Sequence, residues 1–209
     1  MIKQGCFIVF EGVDGSGKSS VVKRIGKILK ENQIQSYVTK EPTDSPFGSL
    51  IHQFMIGRLN TDHKTIAAMF VADRIDHLTN NISGIKQIVD SGSVVISDRY
   101  YFSSYAYHSI FVDMEWVINA NKICSDILKP DLNIFIDTSP KECIKRLDQG
   151  RYLKEKYEDI DYLESVRSNY LKAFERQKNV ENIAVINGNK TLEEVVNDTW
   201  EEVKKVIFL

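Results

Sequence analysis

The chain reads as an α/β fold, three layers built on a central five-stranded parallel sheet. Short apolar runs alternate with helical patterns along its length, and the first run ends in a glycine-rich turn that opens a helix. Cys6 to Phe10 (CFIVF) is short and wholly apolar, as a strand covered on both faces should be. After the turn, a helix from about Lys18 to Glu31 gathers Val21, Val22, Ile25, Ile28 and Leu29 near helical spacing. Gln35–Thr39 (QSYVT), Val94–Asp98 (VVISD), Leu132–Asp137 (LNIFID) and Ile183–Asn187 (IAVIN) supply strands two to five, with helices in the gaps. Ser139 with Glu142 around Pro140, and Thr191 with Glu194, carry the capping-box pattern of helix starts. The stretch Arg146 to Asp161 is charged and poor in apolar residues, which predicts a mobile basic lid over about 146–161.

Length and composition narrow the function. The 209 residues show no repeat, low-complexity tract or linker and predict one domain over 1–209. With 43% hydrophobic and 27% charged residues the chain fits a soluble globular protein, and fibrous or disordered classes are excluded. Lys plus Arg number 27 against 29 Asp plus Glu, so the electrostatic footprint of a nucleic-acid binder is missing and any anionic ligand must be met by local cations. Cys6, Cys124 and Cys143 have no disulfide or zinc spacing and read as reduced core thiols. The start lacks a signal-peptide pattern, and no window approaches a membrane span. A cytoplasmic enzyme or switch without membrane or nucleic-acid partners is expected.

Gly12-Val13-Asp14-Gly15-Ser16-Gly17-Lys18-Ser19 fits GxxxxGK[ST] between a strand and a helix. This is the context of a P-loop, and it makes the fold of P-loop NTPase type. Its amides and the helix start, extended by Ser20, favour phosphate oxygens; Lys18 reaches the β and γ phosphates, and the Ser19 hydroxyl can ligate Mg2+. Val94–Asp98 ends in a carboxylate, so Asp98 is the expected metal-side acid. Arg99 beside it can bridge phosphates with its planar fork.

FEGVDGSGKS at 10–19, KEP at 40–42, FVADR at 70–74, SDRYYFSSYAY at 97–107 and the basic stretch at 146–158 run in one order over nearly the whole chain. In these segments the sequence resembles the thymidylate kinases, P-loop nucleoside monophosphate kinases. The resemblance implies transfer of the γ-phosphate of ATP to dTMP with Mg2+, giving dTDP and ADP for dTTP synthesis, in a homodimer joined through helices at about 61–91 and 114–128. Two polyanions must then meet, and like charges 4 Å apart repel by about 4 kcal/mol at an effective dielectric of 20. Several cations are therefore needed.

The resemblance also implies roles for individual residues. Arg74 and Arg99 grip the acceptor phosphate, aided by Lys40 and flanked by Tyr100, and Phe70 stacks on thymine. Phe70 and Arg74 are four apart and share a helix face. Ser103 and Ser104 meet the base edge or sugar, and Tyr107 lies near the deoxyribose. Asp14 orients the acceptor side, while Glu41-Pro42 marks the turn after strand two, where Glu41 holds the arginines. Arg146 and the turn at Asn187-Gly188-Asn189 bracket the adenine. The family's members carry either an arginine in the P-loop or cations in the lid; with Gly15 in the loop and Arg151, Lys154 and Lys156 in the lid, beside Tyr157, this chain resembles the second type, and Arg151 joins Lys18, Asp14 and Arg99 as catalytic. Two positions depart from the pattern. Lys40 stands where arginine is common, leaving a point charge in place of a fork, and His108 stands where glutamine is frequent.

Two other readings compete. A deoxynucleoside kinase shares the P-loop and the Glu-Pro turn but would use Glu41 as general base and leave Arg74 without a phosphate. A guanine-nucleotide switch would need Asn-Lys-x-Asp, which Asn121-Lys122-Ile123-Cys124 fails at the carboxylate.

Overall fold

The computed structural model describes residues 5–148 in full, the backbone of 149 and 150, and residues 159–208. Its centre is β1 (Cys6–Glu11), apolar to its last residue and fully buried. Around it the parallel strands β2 (Ser36–Lys40), β3 (Val94–Asp98), β4 (Leu132–Asp137) and β5 (Ile183–Asn187) take the order β2-β3-β1-β4-β5. β1 runs one residue past the expected end and β2 starts one residue later than expected; the other three strands match the sequence reading.

Alternation along the strands sorts side chains into two cores. Phe7, Val9, Val95 and Phe135 face one cluster, which is completed by α5 (Tyr101–Tyr107), α6 (Met114–Ile127) and α8 (Ile160–Gln177). Cys6, Ile8, Phe10, Ile96 and Ile134 face the other, covered by α1 (Lys18–Glu31) and α9 (Leu192–Ile207). The buried first strand thus holds helices on both faces, and every strand directs its carboxyl end to one rim.

The expected long helix at 61–91 is two. α3 (His63–Thr79) and α4 (Ile85–Asp90) follow α2 (Pro46–Met55). Asn80 ends α3: its side-chain Oδ1 accepts from the Ile82 N–H at 2.9 Å, and the chain turns so tightly that a Cβ on Gly84 would lie 2.5 Å from the Asn80 carbonyl. Of the two capping boxes, that at Thr191 forms in full. At Ser139, which precedes α7 (Pro140–Gly150), Asn189 replaces the glutamate: its Oδ1 accepts from both the Ser139 N–H (3.1 Å) and hydroxyl (2.8 Å). Glu142 is taken by Arg146 and Lys145 instead. Cys6, Cys124 and Cys143 are buried.

Candidate active site

β1 delivers the chain into the glycine-rich loop at the carboxyl rim. The Val13 side chain is in the core, so its peptide groups alone face the loop, and its carbonyl accepts from the Ser16 N–H at 3.1 Å. Gly15 has φ +80°, and a Cβ there would sit 2.5 Å from the Cys143 carbonyl of α7. The loop is therefore packed directly on α7, and an arginine at position 15 would have no room to leave the backbone. The Ser16 hydroxyl is buried without a hydrogen-bond partner. Ser19 and Ser20 are exposed on the first turn of α1. Inward-turned amides and an orphaned hydroxyl at a helix start form a cradle for phosphate oxygens.

Asp98 closes this cradle from β3. Its Oδ1 accepts from Lys18 Nζ and its Oδ2 from the Ser19 hydroxyl, both at 2.6 Å. Burial raises the Asp98 pKa, but Lys18 and Arg99 outweigh it and hold the carboxyl below its ordinary value. Burial, with Arg99 near, pushes the Lys18 ammonium down. Two hard oxygens beside a phosphate cradle suit a divalent ion that keeps water and takes its remaining ligands from phosphate. Among the described residues there is no group of three or more His, Cys, Asp or Glu side chains able to cage a metal alone.

Arg99 is the crossing point. Its guanidinium bonds to the Asp14 carboxylate, to Ser103 Oγ at 3.1 Å, and lies 5.0 Å from the Tyr107 ring centroid. Tyr107 in turn donates to Asp14 Oδ2 and accepts from the Asp14 N–H, each at 3.0 Å. The Arg99 backbone has φ +81°, costly for a bulky residue, and is pinned by its N–H to the Phe10 carbonyl at 2.8 Å and by the Ser97 hydroxyl on its own carbonyl at 2.7 Å. Beneath it, Glu11 is fully buried and accepts from the N–H groups of Tyr100 and Ser103 and the hydroxyls of Ser103 and Tyr170. Burial raises its pKa, against the Ser103 and Tyr170 hydroxyl bonds and the nearby charges of Arg99 and Lys18. Glu11 thereby fixes the start of α5.

Arg74 is turned toward protein partners. It is 1% exposed, with Nε and Nη2 on Glu41 Oε2 at 2.8 and 2.7 Å and Nη1 on Ser104 and Asn121. All three of its guanidinium nitrogens engage protein groups. Tyr100 is likewise core: it is fully buried and its hydroxyl reaches the carbonyls of Cys124 (3.2 Å) and Leu128 (3.0 Å). Glu41 holds one arginine, not both, and its other oxygen meets His77. Ser104 is buried as the acceptor of Arg74, Pro42 follows a cis peptide bond, and Lys40 is exposed on Asp44 at 3.2 Å. Phe70 is half-buried against His108, ring centroids 4.8 Å apart. Burial, with Arg74 and His63 near, pushes the His108 pKa down to about 3, so its ring is neutral at physiological pH.

On the far side of the loop, Arg146 donates to the carbonyls of Ser16 (3.0 Å) and Gly188 (2.9 Å), tying α7 and the Asn187–Asn189 turn to the P-loop. Arg167 makes a two-pronged pair with Asp137 at 2.6 and 2.8 Å. Arg151, Lys154, Lys156 and Tyr157 lie outside the described residues. Sequence reasoning missed Glu11, Asn121, His77, Tyr170 and Arg167. Glu11, a charge at the end of an otherwise apolar strand, was the one with a visible signal.

A parallel sheet with a glycine-rich loop after the first strand, a carboxylate on the adjacent strand that holds the loop's lysine and serine, and an arginine that joins loop and α5 defines a P-loop phosphotransferase. The family model described as thymidylate kinase matches residues 10–199. The chain is 36% identical to the probable thymidylate kinase of Thermococcus gammatolerans, over 93% of each chain. It is 37% identical to that of Pyrobaculum aerophilum over 96% of this chain and 97% of that one, and 33% identical to the thymidylate kinase of Ligilactobacillus salivarius over 94% and 96%. The chain belongs to the thymidylate kinase family, ATP-dependent kinases of dTMP.

Proposed function

We propose that the 209 residues work as one catalytic domain moving the γ-phosphate of ATP to dTMP, giving dTDP and ADP, through the side chains assembled above. The observation that carries this is Arg99, which joins the loop carboxylate Asp14 to Ser103 and Tyr107 of α5, so that donor cradle and acceptor cleft share one cation. A nucleoside monophosphate is already anionic near neutral pH. The catalytic problem is approach, and fixed cations solve it by offsetting repulsion before reaction. Residues 12–20 hold the ATP phosphates and Arg146 flanks the adenine. Ser19 and Asp98 would hold Mg2+, which supplies charge neutralisation on the phosphate oxygens. Lys18 then turns from Asp98 toward phosphate, and Arg99 meets the acceptor. Phe70, with neutral His108 against it, forms the flat wall for the base, and Tyr107 closes the sugar side.

The deoxynucleoside-kinase reading loses its base. Glu41 is buried, with Arg74 on one oxygen and His77 on the other, so its carboxylate has no free edge for a 5′-hydroxyl. A coupled assay with dTMP, dUMP, dCMP, AMP and thymidine tests the assignment. dTMP should give the highest kcat/KM, and a preference for thymidine over dTMP would reject it.

We also place the enzyme in the cytoplasm, where the free buried thiols of Cys124 and Cys143 stay reduced, and pair it as a homodimer. Among the described residues no helix is long and apolar enough to cross a membrane. Phe47, Leu50, Met55, Ile56 and Leu59 of α2 and the turn after it are 43–61% exposed, an apolar face that a second copy would cover. This adds α2 to the expected 61–91 and 114–128 surfaces, the second of which exposes Trp116 and Ile123 of α6. Light scattering should give twice the chain mass, and Ile56→Asp should halve it. A monomeric wild type at micromolar concentration would remove the pairing.

A further inference from the structure

We propose that His77 is a positioning residue for the phosphate site, a role that rests on the dTMP kinase reading above. Its ring, 8% exposed, forms part of the wall of a cleft of about 750 Å3 that Ser19, Lys40, Thr43 and Asp98 also line. Nδ1 lies 3.1 Å from Glu41 Oε1 and Nε2 lies 2.7 Å from Thr39 Oγ1. The Glu41 carboxylate, already carrying Arg74 on Oε2, can only accept, so Nδ1 holds the proton. With the proton on Nδ1, Nε2 can accept from the Thr39 hydroxyl, and the Nδ1–H tautomer satisfies both contacts.

The ring's reach extends to the reacting end. Glu41 donates its N–H to the Asp98 carbonyl at 3.0 Å, and Lys40 pairs with Asp98 in the β2–β3 register. Asp98 is the residue whose two oxygens hold Lys18 and Ser19. With Arg74 fixing one Glu41 oxygen and His77 the other, the carboxylate cannot rotate, and the Glu41–Pro42 turn keeps its hold on the end of β3. α3 itself is anchored elsewhere, by Ala67 and Leu78, so the two bonds of His77 act on Glu41 and Thr39 rather than on the helix. Loss of the Nδ1–H bond should therefore displace the metal-side carboxylate, and small misplacements at a reacting centre are costly in rate.

Three variants separate this from a packing role. An asparagine amide can replace the Nδ1–H donor to Glu41, a glutamine reaches only the Nε2 position toward Thr39, and leucine replaces neither. His77→Asn should keep kcat for dTMP within about threefold, while His77→Gln and His77→Leu should lose about tenfold or more in kcat with smaller changes in KM for dTMP. His77→Asn and His77→Gln should melt at similar temperatures. Nitrogen-15 spectra of the wild-type ring should show the Nδ1–H tautomer. Equal kcat for the Asn and Gln variants, a change confined to melting temperature, or an Nε2–H tautomer would overturn the inference. A wild type that fails to phosphorylate dTMP would instead bring down the function beneath it.

Discussion

Arg99→Ala should lower kcat/KM for dTMP about 1,000-fold, a loss of about 4 kcal/mol in transition-state stabilisation. The guanidinium contacts Asp14, Ser103 and Tyr107 at once, and no other described cation stands between the loop and α5. Its removal leaves the Asp14 carboxylate facing the incoming phosphate, so repulsion is added where attraction is lost. Arg99→Lys keeps the charge but not the fork that spans loop and helix, and should recover only part of the rate. Arg99→Gly gives a control on folding. With φ at +81° glycine relieves backbone strain, so this variant should remain folded while its activity falls as far as that of Arg99→Ala. Steady-state kinetics with thermal melts on all three checks the claim. Near-wild-type turnover in Arg99→Gly would take the side chain out of catalysis.

Arg74→Met should destabilise the fold by about 3–5 kcal/mol, because it strands Glu41 as a buried carboxylate. For a chain of this size that is a fall in Tm on the order of 10 °C. Glu41, Ser104 and Asn121 engage all three of its nitrogens, and its guanidinium carbon lies 5.2 Å from the Tyr100 ring centroid. Glu41 and Arg74 act as one unit, so the losses should not add. Glu41→Gln in the Arg74→Met background should restore a good part of the stability, since the uncompensated charge is then gone. Calorimetric melts of both singles and the double variant measure the coupling. A stable Arg74→Met with a loss only in dTMP affinity would return Arg74 to the cleft surface.

The sequence announced the site unevenly. The P-loop was legible because its chemistry is local: glycines, lysine and serine follow one another, flanked by a strand and a helix that also declare themselves locally. Asp98 and Arg99 were legible for the same reason, at the end of an apolar run. The burial of Arg74 and Tyr100 was not legible, because the DRY and FxxxR segments show which residues share a helix face, not whether that face meets solvent or another helix. What buries Arg74 is Glu41, 33 residues away, and Asn121, 47 residues away. The break after Thr79 was hidden for a related reason, since Asn80 is tolerated within a helix and ends this one by bonding its side chain to the following amides.

Sequence alone thus determined the strands, the glycine-rich loop and the carboxylate at the end of β3, because periodicity and motif spacing act over a few residues, where backbone sterics and hydrogen bonding set conformation. Only the tertiary structure decided which polar side chains are buried on one another. Glu11 meets Tyr170 from 159 residues away, and His77 meets Glu41 across the β2 edge. A buried polar group must find partners wherever the fold brings them, and that choice of partner is made by packing rather than by neighbours in the chain.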